Sequence, residues 1–89
     1  EWYKNGKYHR DNDKPAIEWY NGNKYWFQNG ELHRDNDKPA FEAVGYKEWW
    51  KNGKLHRDND ISTSEAKPAK EWDDGTKEYY KNGIQYFPN

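Results

Sequence analysis

The chain has 89 residues, among them six Trp, eight Tyr and three Phe, against only Ile17, Leu32, Val44, Leu55, Ile61 and Ile84 as branched aliphatics. Hydrophobic residues make up 31% and charged residues 35%, which bounds the chain to one small domain and excludes a conventional aliphatic core. The net charge is −1, no apolar run is long enough to cross a bilayer and Cys is absent, so neither nucleic acid nor membrane is expected as a partner, and disulfides, thiolate metal sites and cysteine nucleophiles are excluded.

Such a composition would signal disorder, except that disordered chains are poor in aromatics and this one is 19% aromatic. Order is therefore expected, and its source is repetition. Trp2-Tyr3-Lys4-Asn5-Gly6-Lys7-Tyr8-His9-Arg10-Asp11-Asn12-Asp13-Lys14-Pro15-Ala16 recurs from Trp26 to Ala40 and again from Trp49 to Asp60, resuming at Lys67-Pro68-Ala69. A shortened copy opens at Tyr79-Tyr80-Lys81-Asn82-Gly83. The spacings are 24, 23 and 30 residues, and the last falls to 24 without the insertion Ile61 to Ala66. A period in this range predicts an array of supersecondary units. The units are 2–25, 26–48, 49–78 with the insertion 61–66, and the truncated 79–89. The insertion marks a loop edge where extra residues leave stacking undisturbed.

In chain order, each unit reads as β. Asn5-Gly6, Asn29-Gly30, Asn52-Gly53 and Asn82-Gly83 predict type I′ hairpins, because that turn needs positive φ at both central residues. A second turn per unit is expected at Asn21-Gly22, Val44-Gly45 and Asp74-Gly75. Gly or Pro interrupts every stretch long enough for a stable helix. Counting outward from the Asn-Gly turns places Trp2 opposite His9, Trp26 opposite His33 and Trp49 opposite His56. On the other face it pairs Tyr3 with Tyr8, Phe27 with Leu32 and Trp50 with Leu55. One step further it pairs Glu1 with Arg10, Tyr25 with Arg34 and Glu48 with Arg57. The expected fold is all-β: tandem β-hairpin repeats of about 24 residues forming an elongated antiparallel meander, a thin or single-layer sheet with aromatics on both faces.

The aromatic-aromatic-x-Asn-Gly-Lys core followed by His-Arg and Pro-Ala resembles the variant MORN-type β-hairpin repeats of bacterial and viral proteins, over almost the whole chain. That resemblance implies an elongated hairpin scaffold mediating protein association, with an immunity or antitoxin-type binding role as a further possibility by analogy. It brings no catalytic residue set. A looser likeness links the aromatic repeats to choline- and glucan-binding cell-wall modules.

The His-Arg-Asp triplets at 9–11, 33–35 and 56–58 cannot be a kinase loop in so short a chain. Histidines in successive units are expected roughly 10–14 Å apart, too far for one ion. The Asp-Asn-Asp runs at 11–13, 35–37 and 58–60 offer oxygen ligands but lack the rest of a calcium loop, and Asx-type turns before Pro account for them. Acidic features duplicated along a regular surface argue against an active site. No enzyme activity, cofactor or metal site is expected.

The structural residues of the repeat are then Asn5, Gly6, His9, Arg10, Asn29, Gly30, His33, Arg34, Asn52, Gly53, His56, Arg57, Asn82 and Gly83. The candidate binding surface comprises Trp19, Trp26, Trp49, Trp50 and Trp72 with Tyr20, Tyr25, Tyr79 and Tyr80, because exposed rings stack on sugars or anchor protein partners. The leading expectation is a non-enzymatic structural or protein-binding scaffold whose partner is protein, including other copies of itself. The missing Met adds the expectation of a processed product or a segment of a longer array, with an extracellular or cell-surface place favoured on that reading. The alternative is a carbohydrate- or cell-wall-binding module using the rings as platforms.

Overall fold

A computed structural model describes residues 1–60 and 62–88. Ile61 and Asn89, which belong to the insertion and the truncated unit, lie outside them. Among the described residues every strand pairing is antiparallel and there is no helix.

The first unit holds β1 (Tyr3–Lys4), β2 (Lys7–Tyr8), β3 (Ile17–Glu18) and β4 (Lys24–Tyr25). The second holds β5 (Phe27–Gln28), β6 (Glu31–Leu32), β7 (Phe41–Ala43) and β8 (Tyr46–Glu48). The third holds β9 (Trp50–Lys51), β10 (Lys54–Leu55) and β11 (Lys70–Trp72), and β12 (Lys77–Lys81) leads into β13 (Ile84–Tyr86). The hairpins β1–β2, β5–β6 and β9–β10 stand apart from a seven-stranded sheet of order β13-β12-β11-β8-β7-β4-β3. The molecule measures 42 × 25 × 22 Å with a radius of gyration of 13.4 Å, against about 12 Å for a compact domain of this length.

The Asn-Gly turns form as their chemistry requires: Asn5, Asn29, Asn52 and Asn82 have φ of 50–52° and the following glycines 76–82°. In the second set of turns only Gly22, Gly45 and Gly75 are left-handed. There Asn21 and Asp74 use their side chains instead, accepting from the backbone N–H of Asn23 and Thr76 at 3.0 and 2.8 Å. The Asn-Gly hairpins hold the predicted register, with Tyr3 opposite Tyr8, Phe27 opposite Leu32 and Trp50 opposite Leu55. The Trp–His step also forms, the N–H of His9, His33 and His56 donating to the carbonyls of Trp2, Trp26 and Trp49 at 3.0–3.1 Å.

The next predicted step does not form. Tyr25 pairs with Ile17 and Phe41, and Glu48 with Phe41 and Lys70, rather than with Arg34 and Arg57. The cause lies at the tryptophan. Its C=O stays in the hairpin, but its N–H leaves it: Trp2, Trp26 and Trp49 donate to Ala16, Ala40 and Ala69 at 2.7–2.8 Å. Each strand is therefore handed from hairpin to sheet at the Trp, and the arginine is released to turn back over the ring. The three alanines that accept these bonds are fully buried.

On one face the rings run in continuous contact. Tyr3, Tyr8, Phe27, Tyr25, Phe41, Tyr46 and Trp72 follow one another with centroids 4.7–6.4 Å apart, within the range of favourable aromatic pairs. This run joins the β1–β2 and β5–β6 hairpins to the sheet, while the buried core is Trp26 and Trp49 with Ala16, Ile17, Ala40 and Ala69.

Candidate functional site

The polar side chains of the repeat converge where one unit meets the next. In the second unit the Arg34 guanidinium lies 3.7 Å over the Trp26 ring. Its Nη1 donates to the Pro39 carbonyl at 3.1 Å and to Glu42 at 3.3 Å. Its Nε and Nη2 reach the Asp13 carboxylate of the first unit at 2.8 and 3.3 Å, and Lys38 Nζ joins the same carboxylate at 2.8 Å. The Trp26 indole N–H donates to the Asp13 carbonyl at 3.1 Å. Trp, Arg and Lys thus form a socket for one aspartate, combining a cation–π stack with a two-pronged charged hydrogen bond.

The third unit repeats it. Arg57 lies 3.9 Å over Trp49, its Nε and Nη2 take Asp37 at 2.9 and 3.3 Å, and Lys67 reaches Asp37 at 2.7 Å. Arg57 Nη1 still finds the Pro68 carbonyl at 3.1 Å. The insertion closes on itself through Asp60, whose carboxylate accepts from Ser62 and Thr63, and so leaves the socket intact.

These partners set the carboxyl groups. Asp13 is lowered to about 2 by hydrogen bonds from Arg34 and then Lys38. Burial pushes Asp37 up, but Arg57 and Lys67 outweigh it and the net direction is down. Asp60 is lowered to about 2 by the Ser62 hydroxyl and the backbone of Thr63 and Ser62.

The histidines form a second connection. Nδ1 of His9, His33 and His56 accepts from the backbone N–H of Asn29, Asn52 and Asn82, in the next turn along, at 3.0–3.1 Å. Their Nε2 atoms sit 2.7 Å from Asp11, Asp35 and Asp58. An Nδ1 that accepts from an amide carries no proton, so the hydrogen is on Nε2 and is donated to the carboxylate. This bond is the leading cause of the lowered Asp11 and Asp58 pKa values. Beside each histidine the glycine N–H of the next turn donates to the preceding hairpin: Gly30 to Tyr8, Gly53 to Leu32 and Gly83 to Leu55, at 2.8–3.0 Å.

The predicted ring surface divides. Trp26 and Trp49 are each 6% exposed and are covered by their arginines, so they offer no platform. Tyr25 and Trp72 belong to the aromatic run. Trp50 is half-buried, with its indole donating to Glu48 at 2.7 Å. Tyr79 packs edge-on against Tyr86, and Tyr80 donates to Glu78 at 3.2 Å. Trp19 and Tyr20, at the Asn21–Gly22 turn, remain open to solvent.

A groove of about 660 Å³ lies between the Asp-Asn-Asp runs at 35–37 and 58–60, with Trp50, Asp35, Asp58 and His56 among its lining. Among the described residues no three His, Asp or Glu side chains gather as metal ligands.

The sequence predicts the Asp-Asn-Asp runs as turns. Asn12, Asp13, Asn36 and Asp37 do have positive φ, but the last Asp is also the bridge between units, and Lys38 and Lys67 complete its site. The legible signal is the joint recurrence of Trp, Arg, Asp and Lys in each full copy, with Phe87 standing at the arginine position of the shortened one. No protein-family model matches this chain, and neither a curated protein nor a solved structure was found to match it.

Proposed function

We propose that the chain is a non-catalytic scaffold, structural or protein-binding, whose units extend as an antiparallel meander one sheet thick. The observation that carries this reading is the use of its polar chemistry. The Arg34 and Arg57 guanidinium groups, the Asp13 and Asp37 carboxylates and the imidazoles are engaged between successive units, with each histidine fixed between an amide donor and an aspartate. A general base needs a lone pair free for substrate, and these imidazoles have none.

The sequential strand order of the seven-stranded sheet supports the meander, and the hydrogen bonds between neighbouring Asn-Gly hairpins support its extension. An array of this kind exposes unpaired edges that favour association with other copies or with a protein partner. Sedimentation velocity from micromolar to millimolar concentration tests the assembly component: mass increasing with concentration is expected, and a strict monomer throughout contradicts it.

A carbohydrate-binding reading is favoured by one observation, the adjacent solvent-facing Trp19 and Tyr20 at a rigid turn. Tryptophan fluorescence titration with polysaccharides tests it. Saturable quenching lost in Trp19→Ala supports this reading, and a flat response removes it.

A further inference from the structure

We propose that the Trp2–Arg10–Lys14 edge is a docking site for an aspartate-bearing loop from a further unit of this same sequence type. This rests on the scaffold reading and names the partner's chemistry. Arg10 is already in the occupied pose: its guanidinium lies 3.5 Å over the Trp2 ring, and Nη1 donates to the Pro15 carbonyl and to Glu18, both at 3.1 Å. Trp2 donates its backbone N–H to Ala16 at 2.8 Å, as its two equivalents do to their alanines. The first socket is therefore built to the same plan as the sockets that hold Asp13 and Asp37.

It differs only in what it lacks. Among the described residues Arg10 Nε and Nη2 have no acceptor, nor do the Trp2 indole N–H, Lys14 Nζ and the backbone N–H groups of Asn5 and Gly6. Every one of these donors has two or three equivalents in later units, and each equivalent is matched by a carboxylate, an aspartate carbonyl, an imidazole Nδ1 or a hairpin carbonyl of the preceding unit. Lys14 follows the same rule through Lys38 and Lys67. Trp2 is 42% exposed where Trp26 and Trp49 are 6%, which is the uncovering expected of a ring without its overlying loop.

The occupied sockets define the occupant. It must present an aspartate carboxylate to the fork of Arg10, the same residue's carbonyl to the Trp2 indole, an imidazole Nδ1 to Asn5 and a strand carbonyl to Gly6. A segment reading His-Arg-Asp-Asn-Asp beside a hairpin strand supplies all four. A second copy of this chain is a poor occupant, because Asp13 and Asp37 are engaged by Arg and Lys and Asp60 by Ser62 and Thr63.

The test appends a copy of residues 2–24 ahead of Glu1 in the full chain and compares it with the unextended protein by amide exchange and thermal unfolding. The expected result is that the Asn5 and Gly6 amides and the Trp2 indole N–H slow by about tenfold or more, as their hydrogen bonds are gained together. Asp13→Asn in the appended copy is expected to reverse the shift at Trp2. Arg10→Ala is expected to lower the melting temperature more in the extended chain than in the original, and Arg10→Lys, which keeps charge but loses the fork, to fall between. An appended unit that stays unfolded, or one whose docking is indifferent to Asp13→Asn and to Arg10→Ala, overturns the proposal. In either case self-association measured on the unextended chain still decides the scaffold reading separately.

Discussion

Removing Arg34 is expected to cost more than removing Arg10, although the two side chains share a pose, because only Arg34 holds an aspartate. Both stack on a tryptophan, at 3.7 and 3.5 Å, and both donate to a proline carbonyl at 3.1 Å. A stack of this kind is worth about 0.5–2 kcal/mol, and the hydrogen bond to the proline carbonyl adds about 1 kcal/mol. Arg34→Ala also loses the fork to Asp13 at 2.8 and 3.3 Å. Charged hydrogen bonds contribute about 1.5–3 kcal/mol when shielded, but Asp13 is 37% exposed, so solvent screening lowers the added part to about 1 kcal/mol. Arg10→Ala is then expected to cost about 1.5–3 kcal/mol and Arg34→Ala about 2.5–4 kcal/mol. For a chain of this size each kcal/mol moves the melting temperature by about 4–8 °C. Urea unfolding followed by tryptophan fluorescence, with unchanged slope, reads the difference. Equal costs for the two substitutions, or no coupling between Arg34→Ala and Asp13→Asn in a double-mutant cycle, would refute the socket as a bond between units.

Acid should loosen the array. Asp13 at about 2 and the lowered Asp11, Asp37 and Asp58 all lie below their unfolded values, so their stabilisation is complete above about pH 4 and is lost as pH falls toward about 2. Urea midpoints measured across that window should drop, and a flat profile contradicts the assignment. Gly30→Ala, at φ +82° with the Lys7 side chain 3.5 Å from the added methyl, should destabilise by about 1–2 kcal/mol in chemical denaturation; an unchanged midpoint would mean the turn relaxes. Trp49→Ala should cost about 3–5 kcal/mol and Trp19→Ala less than about 1 kcal/mol, so a comparable loss of melting temperature in both would contradict the division of buried and open rings.

Local chemistry was the legible part of the fold. Asn-Gly dictates its own turn, and a fixed turn dictates the register of the residues around it, so the pairing from Tyr3–Tyr8 to Trp50–Leu55 follows from counting. The count fails beyond the Trp–His step because the tryptophan N–H has two possible acceptors, the histidine carbonyl across the hairpin or an alanine carbonyl in the sheet. Which one wins depends on packing that Ala16, Ala40 and Ala69 make possible. For the site, repetition picked out Arg and His but not their partners. Asp13 and Arg34 lie 21 residues apart, and only the stacking of units brings them together. The rings named as a surface were separated by the same event, since the arginine that leaves the hairpin is the one that covers Trp26 and Trp49.

The central claim is that successive units are bonded through their Asn-Gly turns, and amide hydrogen exchange tests it directly. In a two-residue turn the Asn and Gly amides point away from their own hairpin, so only a neighbouring unit can protect them. Slow exchange is predicted at Asn29, Gly30, Asn52, Gly53, Asn82 and Gly83, which reach the preceding histidine or hairpin carbonyl, and fast exchange at Asn5 and Gly6. Uniformly fast exchange at all four turns would contradict the account.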